Sequence, residues 1–303
     1  MDSPSAAGRY RSVFRPGLFA GRTVIVTGGG SGIGRCTAHE LVSLGASVAL
    51  VGRKPEKLER VAAELAEAGG RATCHPLDIR EEAQVQAGVE AILAAHGRVD
   101  GLVNNAGGQF PGQAETFSLK GWDAVIRNNL TGGFLMSKEV FNRWMGARGG
   151  AIVNIIADIW GGMPTMAHSG AARAGTLSLT ETLASEWAPS GVRVNAVAPG
   201  WIASSGMETY PEPVKERLAK QWRAVPLQRY GSEAEVAAAI VFLLCEAANF
   251  ITGSCIRVDG GVPNARPNYP AQPLRVADSA AQSTFDGFHL SSPPAFMKID
   301  RGA

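Results

Sequence analysis

Residues 23–41, TVIVTGGGSGIGRCTAHEL, decide how this chain folds. Five β-branched residues run into Gly28, Gly32 and Gly34 at Gly-x-x-x-Gly-x-Gly spacing, and an amphipathic pattern begins directly behind them. A strand that turns into a helix through such glycines is a dinucleotide-binding turn. One glycine makes the turn, one lets backbone N–H groups approach a pyrophosphate, and one lets the helix pack close on the strand. Ser31 and Ile33 complete the loop, and the helix N-terminus supplies partial positive charge to the phosphates.

The same alternation continues outward. Residues 22–27, 47–51, 72–77, 101–104, 151–156, 192–197 and 256–258 read as seven strands. Between them, residues 33–44, 56–68, 81–95, 122–145 and 171–187 carry helical periodicity. In the last, Leu179, Leu183 and Trp187 recur every four residues as an inward stripe. This pattern predicts an α/β fold: a doubly wound, seven-stranded parallel sheet of the Rossmann type with right-handed crossovers. No Pro/Ser-rich linker interrupts it, so residues 18–262 are expected to form a single domain behind an N-terminal segment over 1–17. Residues 263–303 are proline-bearing and aperiodic, an irregular C-terminal extension that is either an arm or a tail. Phe285, Phe288 and Phe296 favour the arm, because a freely solvated tail rarely carries aromatics.

Composition excludes several classes. A net charge of +2 with 18% charged residues gives no electrostatic case for nucleic acid. Cys36, Cys74, Cys245 and Cys255 include no Cys-x-x-Cys pair and read as free thiols in a reducing compartment. His39, His75, His96 and His289 form no ligand constellation, so no metal is expected. The longest apolar run, residues 236–245, is far shorter than the roughly 20 residues of a bilayer span and reads as a core helix. Residues 1–20 carry no apolar leader pattern and the final Arg-Gly-Ala is no Ser-Lys-Leu address, so the cytoplasm is expected.

The end of the second strand bears on cofactor choice. Where an acidic side chain would grip the ribose hydroxyls of NAD, Gly52 stands, followed by Arg53 and Lys54. Without the carboxylate there is no repulsion against a 2′-phosphate, and a guanidinium binds that phosphate with two hydrogen bonds. NADPH is the expected cofactor. The alternative, that Arg53 and Lys54 merely open a solvated helix, stays open at this point.

Further motifs follow in order: LDI at 77–79, NNAGG at 104–108, NNLTG at 128–132, NAVAPGWIASS at 195–205 and ITGSCIRVDGG at 251–261. With TGGGSGIG they make the chain resemble the short-chain dehydrogenase/reductase family over about residues 18–262. NNAGGQF, NIIAD and HSGAARAG are most similar to its trans-2-enoyl-CoA and 2,4-dienoyl-CoA reductase branch, which serves fatty-acid metabolism. The resemblance implies that Asp78 and Ile79 reach the adenine and that Asn105, Ala106 and Gly107 run along the cofactor. It places Pro199, Gly200, Ile202 and Ser204 around the nicotinamide, and Asn129 at the catalytic asparagine position. It also implies a homodimer or homotetramer built through the helices at 122–145 and 171–187.

The departure from the family lies in PTMAHSGAARAGT, residues 164–176. Most members carry a serine after the fifth strand and Tyr-x-x-x-Lys on the next helix; here Ala157, Ser169 and Arg173 occupy those positions. A serine hydroxyl is far less acidic than a cation-assisted phenol, and an arginine with a pKa above about 12 donates no proton. Carbonyl–alcohol chemistry by the usual route is therefore handicapped. Reduction of a C=C bond conjugated to a thioester asks instead for fixed donors around an enolate oxygen. Ser169 and Arg173, one turn apart on one helix face, fit that demand, with Asn129 ordering a water or backbone. NADPH-dependent reduction of an enoyl-CoA or dienoyl-CoA is thus the expected activity. Two alternatives remain: a cofactor-binding scaffold without catalysis, and a carbonyl reductase or lyase using His168 or Asp158. The α-carbon proton is left to water, His168 or Asp158, since Leu177 stands where a titratable group serves the relatives. Trp160, Met163, Met166, Trp201, Met207 and Tyr210 are expected to line an apolar cleft that suits an acyl chain; ordinary packing is the alternative.

Overall fold

The computed structural model describes Tyr10 and residues 12–265, 270–273, 275–276, 281, 283–285 and 287–299. Seven parallel strands form one sheet in the order β3-β2-β1-β4-β5-β6-β7. They are β1 (Thr23–Thr27), β2 (Ser47–Gly52), β3 (Arg71–Pro76), β4 (Gly101–Asn104), β5 (Gly150–Ile155), β6 (Val192–Pro199) and β7 (Cys255–Val258). Every residue of β1 and β4 is buried, so both faces are covered, which is why these runs are nearly continuous in apolar residues rather than alternating. Alternate side chains still serve different layers. Val24, Val26, Val48 and Leu50 enter one core, whereas Ile25, Ala49 and Val51 enter the other.

Helices α1 (Gly32–Ser43) and α2 (Pro55–Glu67) supply the first core. Helix α3 (Glu82–His96) supplies the second. The predicted helix over 122–145 is longer and less regular than expected. It runs as α4 (Leu119–Ile126), α5 (Gly132–Val140) and α6 (Gly146–Arg148), joined by π-type turns at Arg127–Thr131 and Phe141–Met145. Each turn takes one extra residue, which re-aims the following side chains; such turns are common at functional sites. Helix α7 (Ala167–Trp187) starts before the expected residue 171 and so includes His168 and Ser169. After β6 come α8 (Glu212–Leu218) and α9 (Glu233–Leu244), the latter opened by a capping box between Ser232 and Glu235. The short α8 carries too little periodicity to be seen in the sequence. No helix among the described residues is long and apolar enough to cross a membrane.

The described part of the C-terminal extension lies on its own domain, over α1 and α9. Phe288 is 1% exposed and packs with Cys36, Ala234 and Ala237, with Tyr10 and Phe285 around them. Arg35 sits 5.2 Å over the Phe288 ring, and Ser232 donates to the Phe285 carbonyl at 3.0 Å. Phe288→Ala is expected to cost about 3 kcal/mol or more by emptying this site. Urea unfolding of the two proteins measures it, and equal midpoints would show that the extension contributes nothing to stability.

Candidate active site

The strand order reverses direction between β1 and β4, and the crevice at their C-terminal ends is where open α/β sheets bind ligands. Gly28 has φ +67, and a Cβ on Gly34 would lie 2.4 Å from the Gly28 carbonyl oxygen. Neither position tolerates a side chain without moving the loop. The first helical bond of α1 runs from Arg35 N–H to Ser31 O, so the amides of Gly32, Ile33 and Gly34 have no partner within the helix. The Ser31 hydroxyl makes no cap bond either. These donors face the place where phosphates would sit.

Thr27 fixes the other side of the crevice. Its hydroxyl donates to Val103 O at 3.1 Å and accepts from the amides of Asn105 and Ala106 at 2.9 and 3.0 Å. Asn105 returns a bond to Thr27 O at 2.9 Å. Asn129, in the first π-type turn, donates to Gly108 O at 2.7 Å and accepts from Gly108 N–H at 3.2 Å. It braces the NNAGG loop from below. At the rim, Arg80 chelates Asp78 and holds its carboxyl below the usual range, with Arg53 adding a smaller pull. Arg53 itself is exposed just beyond β2 and Ile79 is buried against Gly132. Across the crevice, Ile202 is buried and bridges Gly231, Gly200 packs on Asp259, and Pro199 lines the adjoining cleft. Ser204 is half-buried at the head of the following turn.

Arg173 reaches beneath Gly107, where a Cβ would stand 2.5 Å from its Nη2. Nη1 donates to Ile155 O at 2.5 Å, and Nε is buried without a hydrogen-bond partner. Burial alone pushes its pKa down to about 10, so the group stays cationic at neutral pH. No carboxylate among the described residues pairs with it. A half-buried cation without a carboxylate partner, set against Gly107, fits a polyanionic dinucleotide, and Arg173 could hold its ribose hydroxyls.

A cleft of about 230 Å³ opens beside this crevice, lined by Met163, Met166, Trp201, Met207 and Tyr210 as the sequence suggested. Trp160 does not line it; its ring is exposed and stacked under Arg257 at 5.4 Å. Thr165, at φ +67, turns the cleft wall in a conformation that β-branched residues avoid. Ala157 and Asp158 also face the cleft. Burial and the nearby Asp259 carboxylate raise the Asp158 pKa, and Asp158 Oδ1 is buried without a hydrogen bond.

Two expected residues sit differently. His168 is fully buried, stacked on Phe117 at 4.3 Å and edge-on to Phe110 at 4.7 Å, outside the cleft lining. Its Nδ1 accepts the Ser169 amide at 2.7 Å, and burial lowers its pKa, so it packs as a neutral aromatic ring. Ser169 is also fully buried, and its hydroxyl donates to Gln109 Oε1 at 2.5 Å instead of opening on the cleft. Gln109 lines the cleft in its place and donates through Nε2 to the Tyr210 hydroxyl at 3.3 Å. Gln109 stands in the quoted NNAGGQF stretch, yet its contacts span 60 and 101 residues, which no local pattern reveals.

Residues 28–263 match the family model described as enoyl-(acyl carrier protein) reductase. The probable 2,4-dienoyl-CoA reductase of Bacillus subtilis (strain 168) is 39% identical over 79% of this chain and 96% of that protein. The peroxisomal 2,4-dienoyl-CoA reductase of Danio rerio is 36% identical over 86% of this chain and 88% of its own. Among solved structures, the citronellol catabolism dehydrogenase of Pseudomonas aeruginosa PAO1 superposes with a TM-score of 0.76 at 57% identity, covering 84% of this chain and all of that one. The chain belongs to the short-chain dehydrogenase/reductase family. It is an oxidoreductase that takes a nicotinamide cofactor, which sets aside the reading as a non-catalytic scaffold.

Glu233 is a further site residue without a sequence signal. It is 5% exposed, and a Cβ on Gly32 would lie 3.8 Å from its Oε1. Burial pushes its pKa up to about 7, with Arg35 pulling back. Because the folded value lies above the unfolded one, folding carries no penalty below about pH 4.5 and a growing one as pH rises through 7. Glu233→Gln is therefore expected to leave stability near wild type at pH 4.5 and to raise it at pH 8, by on the order of 2 kcal/mol. Urea midpoints at both pH values measure the difference; a pH-independent gap would refute the assignment.

Proposed function

We propose that this protein uses NADPH to reduce the C=C bond conjugated to the carbonyl of an enoyl-CoA or dienoyl-CoA thioester. The observation that carries this reading is a helix that brings a half-buried guanidinium without a carboxylate partner and a hydroxyl that fixes Gln109, but no phenol. When bound, the reduced nicotinamide supplies a hydride to the β-carbon of an enoyl thioester, or to the δ-carbon of a 2,4-dienoyl one. The developing charge then falls on the thioester oxygen, and fixed donors lower its energy without reorganising. Ser169 holds Gln109 by its oxygen, which turns the amide nitrogen towards the cleft and Tyr210. Arg173 adds positive potential from beneath Gly107, and Asn129 keeps the intervening loop in place. The methionine-rich cleft suits a flexible acyl chain. The dienoyl-CoA reductases at 36% and 39% identity support the thioester.

Arg53 and Lys54 support NADPH, since both are exposed at the end of β2 with no acidic residue in the position that would repel a 2′-phosphate. Assembly as a homodimer or homotetramer is supported by Phe134, which is 39% exposed and joins Leu130 and Leu179 in an open groove along α5 and α7. A second reading rests on the 57% identity to a citronellol catabolism dehydrogenase: the acyl group is a branched terpenoid, or the chemistry acts on its alcohol.

Purified protein with crotonyl-CoA or a 2,4-dienoyl-CoA is expected to consume NADPH in preference to NADH. Consumption with citronellal, or reduction of NADP by citronellol, but none with any acyl-CoA would move the second reading ahead. Arg53→Asp is expected to reverse the cofactor preference at unchanged acyl-CoA affinity. An unaltered ratio of NADPH to NADH turnover would remove Arg53 from the 2′-phosphate site.

A further inference from the structure

The catalytic helix has no phenol, but the loop opposite carries one. Tyr210 stands between the turn Ser205–Thr209 and α8, in the long connection after β6, and lines the cleft together with Gln109, Ala157 and Asp158. Its oxygen accepts from Gln109 Nε2 at 3.3 Å, and Gln109 Oε1 accepts from Ser169 at 2.5 Å. The amide is thus clamped at both ends, and its orientation follows from the Ser169 proton. Because Tyr210 accepts in this chain, its own proton is not spent on Gln109. No acceptor for that proton is found among the described residues, although the ring is half-buried.

We propose that Tyr210 is the catalytic proton donor of the reaction and that Gln109 is the positioning residue that holds it; this rests on the C=C reduction reading. Hydride addition forms a C–H bond at the β-carbon of an enoyl thioester, or at the δ-carbon of a 2,4-dienoyl one, and the conjugated π electrons shift to give an enolate across the α-carbon and the thioester carbonyl. The enolate α-carbon then takes the proton from the Tyr210 hydroxyl. A C–H bond forms, the O–H bond breaks, the carbonyl is restored, and the phenolate is reprotonated by water entering the cleft. The sum is one hydride from NADPH and one proton from water.

Other proton carriers nearby are less suited. His168 is sealed between two phenylalanine rings, and the Ser169 proton is committed to Gln109. A phenolic hydroxyl yields its proton more readily than the aliphatic hydroxyl of serine. Asp158 remains the rival within the cleft, and isotopic labelling separates the two.

In D₂O the wild-type enzyme is expected to place deuterium on one face of the α-carbon. Tyr210→Phe keeps the ring and removes one oxygen. Its turnover is expected to fall by about 100-fold or more, as loss of a general acid does, with deuterium on both faces of the residual product. Binding of a saturated acyl-CoA, followed by calorimetry, should be little changed. Gln109→Leu leaves the phenol untethered and is expected to lower turnover by about 10-fold with partial loss of facial selectivity. Wild-type turnover in Tyr210→Phe overturns the donor role. So does lower turnover with single-face labelling intact, which would assign the proton to another fixed group such as Asp158. If wild type consumes no NADPH with any acyl-CoA, the C=C reading itself falls and takes the donor role with it. An active wild type with an equally active Tyr210→Phe sinks the donor role alone.

Discussion

The approach of α1 to the end of β1 governs everything built around it. A 2.4 Å gap between the Gly34 Cβ position and the Gly28 carbonyl leaves room for hydrogen only. That closeness lets the helix N-terminus aim its open amides into the crevice between β1 and β4. It also brings Asn105 against the loop, since its Nδ2 would stand 2.8 Å from a Cβ on Gly28. Thr27 then ties the two strand ends together through one hydroxyl that donates once and accepts twice. The nucleotide side of the molecule is a set of backbone groups held by contacts that admit no extra atom.

The reaction side is organised by charge instead of close packing. Arg173 is a half-buried cation whose Nε is buried and whose hydrogen bond goes to one backbone carbonyl, an arrangement that costs stability unless an anion or a set of hydroxyls arrives. A lysine in its place would be a compact point charge, whereas the guanidinium extends from Ile155 to the underside of Gly107 and remains charged even at a lowered pKa near 10. The helix that carries it offers no phenol. Instead, the hydrogen-bond chain from Ser169 through Gln109 to Tyr210 joins that helix to the loop after β6. Gln109 and Tyr210 line the cleft, so the loop and the helix are coupled through its wall.

Asp158 gives the cleft a second polar edge, with Asp259 close enough behind it to raise its pKa. Each leaves one carboxylate oxygen buried without a hydrogen bond, and Arg257 approaches Asp259 only to 3.8 Å while stacking on Trp160. Unsatisfied buried oxygens of this kind are costly and concentrate where a ligand or proton completes them.

The sequence by itself determined the sheet, its hand and the phosphate turn, because these follow from short-range facts: β-branched runs, helical periodicity and glycines at fixed spacing. Set beside the family it resembles, it also reads Ser169 and Arg173 where a tyrosine and a lysine are usual. Only the tertiary structure decided what those replacements do. His168 became a ring packed between Phe110 and Phe117, Ser169 turned away from the cleft, and Gln109 and Tyr210 came forward. Glu233 reached the phosphate turn from the far end of the chain. The physical reason is range. Periodicity and turn chemistry act over a few residues, whereas the direction of a buried hydroxyl or the partner of an amide is fixed by groups 60 or 101 positions away, which only the folded chain brings together.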